Sequence, residues 1–310
     1  MSIEIWDPHF HVWDVAEDTR SGHDAEQLFA PNDNPLYSWI EYERDIHQAG
    51  ERFSHSGGAF VEAVSVCHIE QSGSAFVEAC FAESLWASEQ LNQSQKHYVL
   101  VASAPLEDPG IDAILSTLAA NPNVCGIRQI INFEPSWPRN GRLGNLLDNP
   151  QWTKGFGALG RHSLSFDLQL NPHQFQQASE LIGKFPDTLV IIDHLGSPTL
   201  DDLQQRADQY WNGLKTLAKH ERSFIKISML SYIDESWDQN PLVRDTVLNV
   251  IEIFGIDRCF FASNFPVENN IGWDAKRLFL AFEQLVVGLY GPEDLLKLFS
   301  RNARCAYAAE

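Results

Sequence analysis

Basic residues are scarce in this chain of 310 residues: 22 Lys and Arg stand against 42 Asp and Glu, a formal charge of −20 at pH 7. A surface of that sign repels polyphosphate backbones and anionic bilayers, so neither nucleic acid nor a membrane is expected as a partner. Long apolar runs are missing too. Nothing approaches the ~20 residues of a membrane span, and the N-terminus passes from Met1 straight into Ile3-Glu4-Ile5-Trp6 without a basic region or apolar leader. Cysteine is sparse and odd in number. Cys67, Cys80, Cys125, Cys259 and Cys305 are widely spaced and mostly sit in apolar runs, which fits buried thiols in a reducing compartment better than bridges or a zinc cluster. A soluble, cytoplasmic protein is expected. Repeats, low-complexity tracts and shifts of composition are also absent, which leaves no reason to divide 1–310 into more than one domain.

What is present is alternation. Short apolar runs rich in β-branched and aromatic residues recur as Ile3 to Trp6, Ala59 to Val64, Tyr98 to Ala102, Val124 to Ile130, Ser165 to Leu170, Leu189 to Ile192, Phe224 to Ile227 and Arg258 to Phe261. Between them lie segments with helical spacing, such as Ala75 to Asn92, Phe175 to Phe185, and Pro241 to Phe254 closed by Gly255. The strand starts lie roughly 24 to 56 residues apart, the length of a strand, helix and return loop. Eight such units predict a single (β/α)₈ barrel, with a doubly wound open sheet as the alternative. The tail from Pro292 to Ala308 reads as one extra helix, and Asp14 to Trp39 as a long loop over the barrel mouth.

In a barrel the C-terminal strand ends form the catalytic face, so polar residues there are the candidates for chemistry. The first strand runs into Asp7-Pro8-His9-Phe10-His11-Val12-Trp13, where alternation points His9 and His11 the same way, able to share a metal ion. The sixth ends Ile192-Asp193-His194-Leu195-Gly196, where one of Asp193 and His194 is expected to face the mouth, with His194 preferred; the alternative is that Asp193 caps the turn and His194 bonds backbone. The fourth ends Gly126-Ile127-Arg128. A guanidinium in so apolar a strand needs a partner, either a substrate carboxylate or an internal acid such as Glu62, and the two are compatible. On the fifth strand only one of Asp167 and Gln169 is expected to face inward. On the eighth, Asn264 precedes the Phe265-Pro266 turn and can donate and accept hydrogen bonds but cannot act as a base. Trp13, Trp39, Trp137 and Tyr232 lie in predicted loops and are candidates to line a pocket.

Taken in order, these motifs, with the closing Asn302-Ala303-Arg304, resemble the amidohydrolase superfamily. The resemblance is to the amidohydrolase-related branch of TIM-barrel metal-dependent hydrolases that includes lactonases. It implies that His9, His11 and His194 match the branch's histidines, as ligands of one divalent metal such as zinc or as groups of a metal-free site. Asn264 stands where the branch has an aspartate that moves protons. Asn264 is either natural to this lineage, with His194 or another histidine taking over that role, or an engineered change that traps a substrate, and the flanking Ala262, Ser263 and Phe265 favour the natural form. Gln169 occupies a place where many members have a metal-binding histidine, and strand four offers no bridging lysine or glutamate, which argues against a binuclear centre. The function implied is opening of a small carboxylate-bearing lactone by activated water. Arg128, Gln169 and Trp13 would bind substrate, and His194, Asn264 and Arg128 would form the catalytic set. Metal-dependent decarboxylation of an unsaturated or aromatic acid is the enzymatic alternative, and a ligand-binding homologue without turnover is the alternative from another class. A homo-oligomer is the base-rate expectation for such an enzyme.

Overall fold

A computed structural model of the chain describes residues 2–14, 35–68, 70–136 and 143–307. Eight parallel strands run in chain order around one sheet. They are β1 (Ile3–Phe10), β2 (Phe53–Val61), β3 (His97–Ser103), β4 (Val124–Arg128), β5 (Ser165–Leu168), β6 (Val190–Ile192), β7 (Ser223–Ile227) and β8 (Cys259–Phe261). All eight expected runs are strands. β1 extends four residues further, through Asp7 to Phe10, and β2 begins earlier and stops at Val61, since Val64 starts a short helix, Val64–Cys67. The circle closes at the mouth. Beyond β8, Phe265 bridges Phe10 in parallel, while the amide of His11 donates to the Phe265 carbonyl and that of Asn264 to the His9 carbonyl, at 2.7 and 2.8 Å. The sheet is thus a nearly closed TIM barrel rather than an open, doubly wound sheet.

The helices form because apolar side chains recur on one face. Pro241–Phe254 buries Val243, Val247, Val250, Ile251 and Phe254, each contributing roughly 2 kcal/mol by leaving water. The Asn240 side chain accepts from the Leu242 amide at its start, and Gly255 ends it at φ +80°. Such faces pack on the outer side of the strands in one large core. A second cluster fills the barrel itself. Trp6, Ala59, Val61, Val99, Val101, Ile191 and Phe260 pack there with Ala303, Ala306 and Tyr307 from the helical run that follows Pro292. The extra C-terminal helix therefore helps to fill the barrel interior.

Four expectations need comment. Residues 15–34 of the loop expected over the mouth, and Trp137, lie outside the described residues. The ends of that loop form a short antiparallel ribbon, Trp13–Asp14 against Leu36–Tyr37. Trp39 opens a helix and is buried against Phe10, Tyr42 and Tyr98, so it packs the wall and is not among the residues lining the cleft described below. The cysteines carry no disulfide, with Cys67, Cys80 and Cys259 buried and Cys305 exposed. No described helix is long and apolar enough to cross a membrane.

Candidate active site

Six of the residues singled out from sequence line one narrow cleft at the barrel mouth: His11, Trp13, Arg128, Gln169, His194 and Asn264. Including its open side, the cleft encloses about 360 Å³. Backbone conformation aims several of these side chains. At the end of β6, His194, Leu195, Gly196 and Ser197 all have φ between +52° and +77°, and Met229 after β7 and Asn264 after β8 sit at +53° and +56°. Left-handed backbone costs a non-glycine residue about 1 kcal/mol or more, and its concentration at three strand ends beside one cleft makes that cleft the candidate site.

Arg128 is fixed from two sides. Its Nε donates to Glu62 Oε1 at 2.7 Å, Nη2 to the Glu62 carbonyl at 2.5 Å, and Nη1 to Gln169 Oε1 at 3.0 Å. These use three of its five N–H bonds, and Nη1 also faces the Asp193 carboxylate at 4.0 Å, so among the described residues two N–H bonds have no hydrogen-bond partner. The internal partner considered from sequence is therefore present, and the arginine still faces the cleft. Gln169 and Asp167 both turn inward, contrary to expectation. Asp167 pairs with Lys226 and Gln169 with Arg128. Residues two apart share a face of a strand, so alternation puts them on the same side.

His9 lies beneath the cleft rather than on its wall, fully buried. Its Nε2 is 3.2 Å from His11 Nε2, and its ring centroid is 4.6 Å from that of His194. His11 Nδ1 donates to the Val61 carbonyl at 2.7 Å, and His194 Nδ1 meets Ser228 Oγ at 2.8 Å. All three imidazoles are neutral at pH 7. Burial, and then the Arg128 charge, lowers His11 to about 3; burial lowers His194 to about 3; burial and Lys226 hold His9 well below its ordinary value. Beside His194, Asn264 presents a buried Nδ2 without a hydrogen-bond partner among the described residues. A dry, unpaired amide is costly unless a ligand oxygen meets it.

Asp193 is more than a turn cap. It is fully buried, and its Oδ1 lies 2.9 Å from Lys226 Nζ and 3.4 Å from His9 Nδ1. Burial alone would raise its carboxyl, but Lys226 and then His9 outweigh that and hold it well below the usual range. Asp167 is instead pushed up to about 6 by burial, which Lys226 only partly offsets. Lys226 was missed in the sequence. Its signal is Phe224-Ile225-Lys226-Ile227, a cation inside an apolar strand, the same signal that picked out Arg128. Asp7 was also passed over. It accepts from the amide and hydroxyl of Ser263 at 2.9 and 2.6 Å and from Tyr42 Oη at 2.9 Å, tying β1 to the turn that carries Asn264.

The ligand atoms of His9, Asp193 and His194 all lie within 4.8 Å of one another, a buried group able to hold a metal ion. Two imidazoles and a carboxylate suit a divalent cation in kind. The corner between His9 Nδ1 and Asp193 Oδ1 is where the Lys226 ammonium stands, 2.9 Å from each, so the His9 nitrogen that remains for an ion is Nε2.

The family model for amidohydrolases matches residues 6–308. This chain belongs to the amidohydrolase family, and it is an enzyme. An uncharacterized protein of Sinorhizobium fredii is 27% identical to this amidohydrolase, over 98% of each chain. Among solved structures, an amidohydrolase from Burkholderia multivorans with bound zinc aligns over the whole of both chains, at TM-score 0.76 and 15% identity. A probable 2-pyrone-4,6-dicarboxylic acid hydrolase from Acinetobacter baumannii, with citric acid bound, aligns over 99% of this chain and all of its own, at 0.72 and 15%. A 2,6-dihydroxybenzoate decarboxylase from Rhizobium aligns over 99% of both, at 0.64 and 15%. At such identities these likenesses show the fold, in which hydrolases and decarboxylases both occur.

Proposed function

We propose that this amidohydrolase opens a small lactone bearing a carboxylate, by attack of an activated water. The observation that carries the reading is the meeting in one cleft of Arg128, with two N–H bonds to spare, the unpaired Nδ2 of Asn264, and the neutral imidazoles of His11 and His194. Arg128 holds the carboxylate in a bidentate pair, with Gln169 and Trp13 beside it. Asn264 Nδ2 donates to the lactone carbonyl oxygen and stabilises the charge that grows there. His194 Nε2, which has no partner among the described residues, takes a proton from water as its oxygen bonds to the carbonyl carbon. It returns that proton to the ring oxygen as the ring C–O bond breaks. Burial, with Lys226 and Arg128 and against the nearby Asp193, weakens His194 as a base. A bound carboxylate neutralises Arg128 and restores part of that basicity.

When a divalent metal is bound, it supplies a Lewis acid and a water of lowered pKa. His9, His194 and Asp193, with His11 beside them, are the residues that would hold it. Support for a carboxylate-bearing substrate also comes from the citric acid in the Acinetobacter relative. Within this reading the protein works in the cytoplasm on a free small molecule. Its charge of −20 speaks against nucleic acid and membrane partners, and a homo-oligomer remains the base-rate expectation. The test is a panel of lactones with and without a carboxylate, followed for acid and for carbon dioxide. Acid release confined to carboxylate-bearing members is the expected result. Carbon dioxide from an unsaturated or aromatic acid would replace the reading with decarboxylation, and saturable binding without product would replace it with a binding protein.

A further inference from the structure

Tyr232, singled out from sequence as a candidate to line a pocket, is not among the residues lining the cleft. It lines a second groove, walled also by Glu134, Asn171, Ser197, Thr199 and Gln209, which encloses about 670 Å³ including its open side. The two hollows share a plan. The ends of β4, β5, β6 and β7 give the cleft Arg128, Gln169, His194 and Met229, and a few residues further on the same four connections give the groove Glu134, Asn171, Ser197 and Tyr232. Two of these steps are single turns. The Ser197 amide donates to the His194 carbonyl at 2.8 Å and the Tyr232 amide to the Met229 carbonyl at 3.2 Å, and the ends of such a turn lie within about 7 Å of each other. Asn171 is two residues beyond Gln169 and holds the β4 connection. Its Oδ1 accepts from Asn132 at 2.6 Å and its Nδ2 donates to the Phe133 carbonyl at 3.2 Å. The groove therefore lies directly outward of the cleft.

Charge separates the two. The cleft presents Arg128, whereas the guanidinium of the groove, Arg206, is already paired with Asp201 and Asp202. Asp202 also accepts from the amide and hydroxyl of Thr199 at 2.8 and 2.7 Å, and Glu134 adds a second carboxylate to the walls. A carboxylate entering here would meet like charge. The lining side chains without a hydrogen bond to another described residue are His173, Ser197, Gln209 and Tyr232, none of which carries a fixed charge. Ser197 is the most telling. It is 5% exposed, and its buried Oγ has no partner among the described residues, a cost that a ligand would remove. Tyr232, 38% exposed, offers an apolar ring and a hydroxyl together.

We propose that this groove is a distal subsite for an uncharged, hydroxylated unit attached to the lactone, so that the substrate extends from Arg128 outward past Ser197 to Tyr232. The inference rests on the proposed lactone chemistry for the reacting end and on the residues of the groove for the other.

The experiment uses the full-length protein and two probes, maltose for the groove and glutarate for the cleft. Affinities are read by ligand-observed NMR titration of the wild type, Ser197→Ala and Tyr232→Ala, with folding checked by circular dichroism. Maltose is expected to bind the wild type, to weaken about fivefold in Ser197→Ala, the value of one lost neutral hydrogen bond, and to weaken further in Tyr232→Ala. Glutarate affinity is expected to stay the same in both. Failure of maltose to bind the wild type, or equal maltose affinity in both variants, overturns the subsite. Loss of both probes together in a folded variant shows a loosened mouth and overturns it as well. Should either variant fail to fold, Gln209→Ala, at an exposed position, replaces it with the same expectation. Glutarate that fails to bind the wild type counts against the carboxylate reading alone, and the maltose titration still decides the groove.

Discussion

Arg128 and Asn264 show how much a single side chain can commit to a site. The guanidinium is buried and pinned by Glu62 and Gln169, so its two remaining donors point in a set direction. Arg128→Lys keeps the positive charge that Glu62 requires but presents a point charge in place of a planar fork. For a carboxylate-bearing lactone KM is expected to rise about tenfold or more, the value of roughly 1.4 kcal/mol or more in one lost charged hydrogen bond, with a smaller change in kcat. Equal losses on substrates with and without a carboxylate would show that the arginine supports the fold rather than the ligand. Asn264 differs in kind. It cannot move a proton, but its buried Nδ2, without a hydrogen-bond partner among the described residues, can donate to a developing oxyanion.

At the scale of elements, the eight strands were legible because β-branched and aromatic runs bounded by polar turns are too short to be helices, and each lies where the apolar pattern puts it. The strand-end residues were legible for a related reason. A histidine, arginine or asparagine that interrupts a buried run has to be explained, and in this fold the strand ends supply the explanation. What sequence did not reveal is tertiary. Lys226 carried the right signal but lies within a strand, His194 was preferred to Asp193 as the inward residue, and the pairing of Asp167 with Lys226 depends on which strands become neighbours across the barrel. Trp39 read as a loop aromatic and instead opens a helix capped by Ser38. The closing Asn302 motif, noted from sequence, has a plain structural purpose. Its Nδ2 donates to the carbonyls of Ile256 and Cys259 at 2.7 and 2.8 Å, tying the last helix to the start of β8. Asn302→Ala leaves both carbonyls without that donor and is expected to cost about 2 kcal/mol, read from the urea midpoint. An unchanged midpoint would mean that the helix docks by apolar packing alone.

The whole molecule carries buried acids that its charge of −20 makes more telling. Glu268 is 1% exposed, and burial pushes its carboxyl up from 4.5 to about 7, with the Ser231 hydroxyl offsetting part of the shift. A group whose folded pKa is raised contributes stability that is complete below about 4.5 and lost as pH rises through about 7. The loss amounts to about 3 kcal/mol by pH 8. Glu268→Gln is expected to flatten the fall in unfolding free energy across that window, and a slope equal to that of the wild type would assign it to other groups. Asp193, held well below its usual range, acts in the opposite sense and loses its contribution only in acid.

The proposal that the cleft at the barrel mouth is a lactone-opening site turns on His194. The most direct measurement is the rate of acid release from the best carboxylate-bearing lactone by the wild type, His194→Ala and Asn264→Asp, each checked for intact folding. The expected result is a loss of at least about a hundredfold in His194→Ala, the range for removing a general base, and a comparable loss in Asn264→Asp, where an acceptor replaces the donor to the oxyanion. Turnover by His194→Ala equal to that of the wild type would contradict the assignment and move the chemistry elsewhere in the barrel.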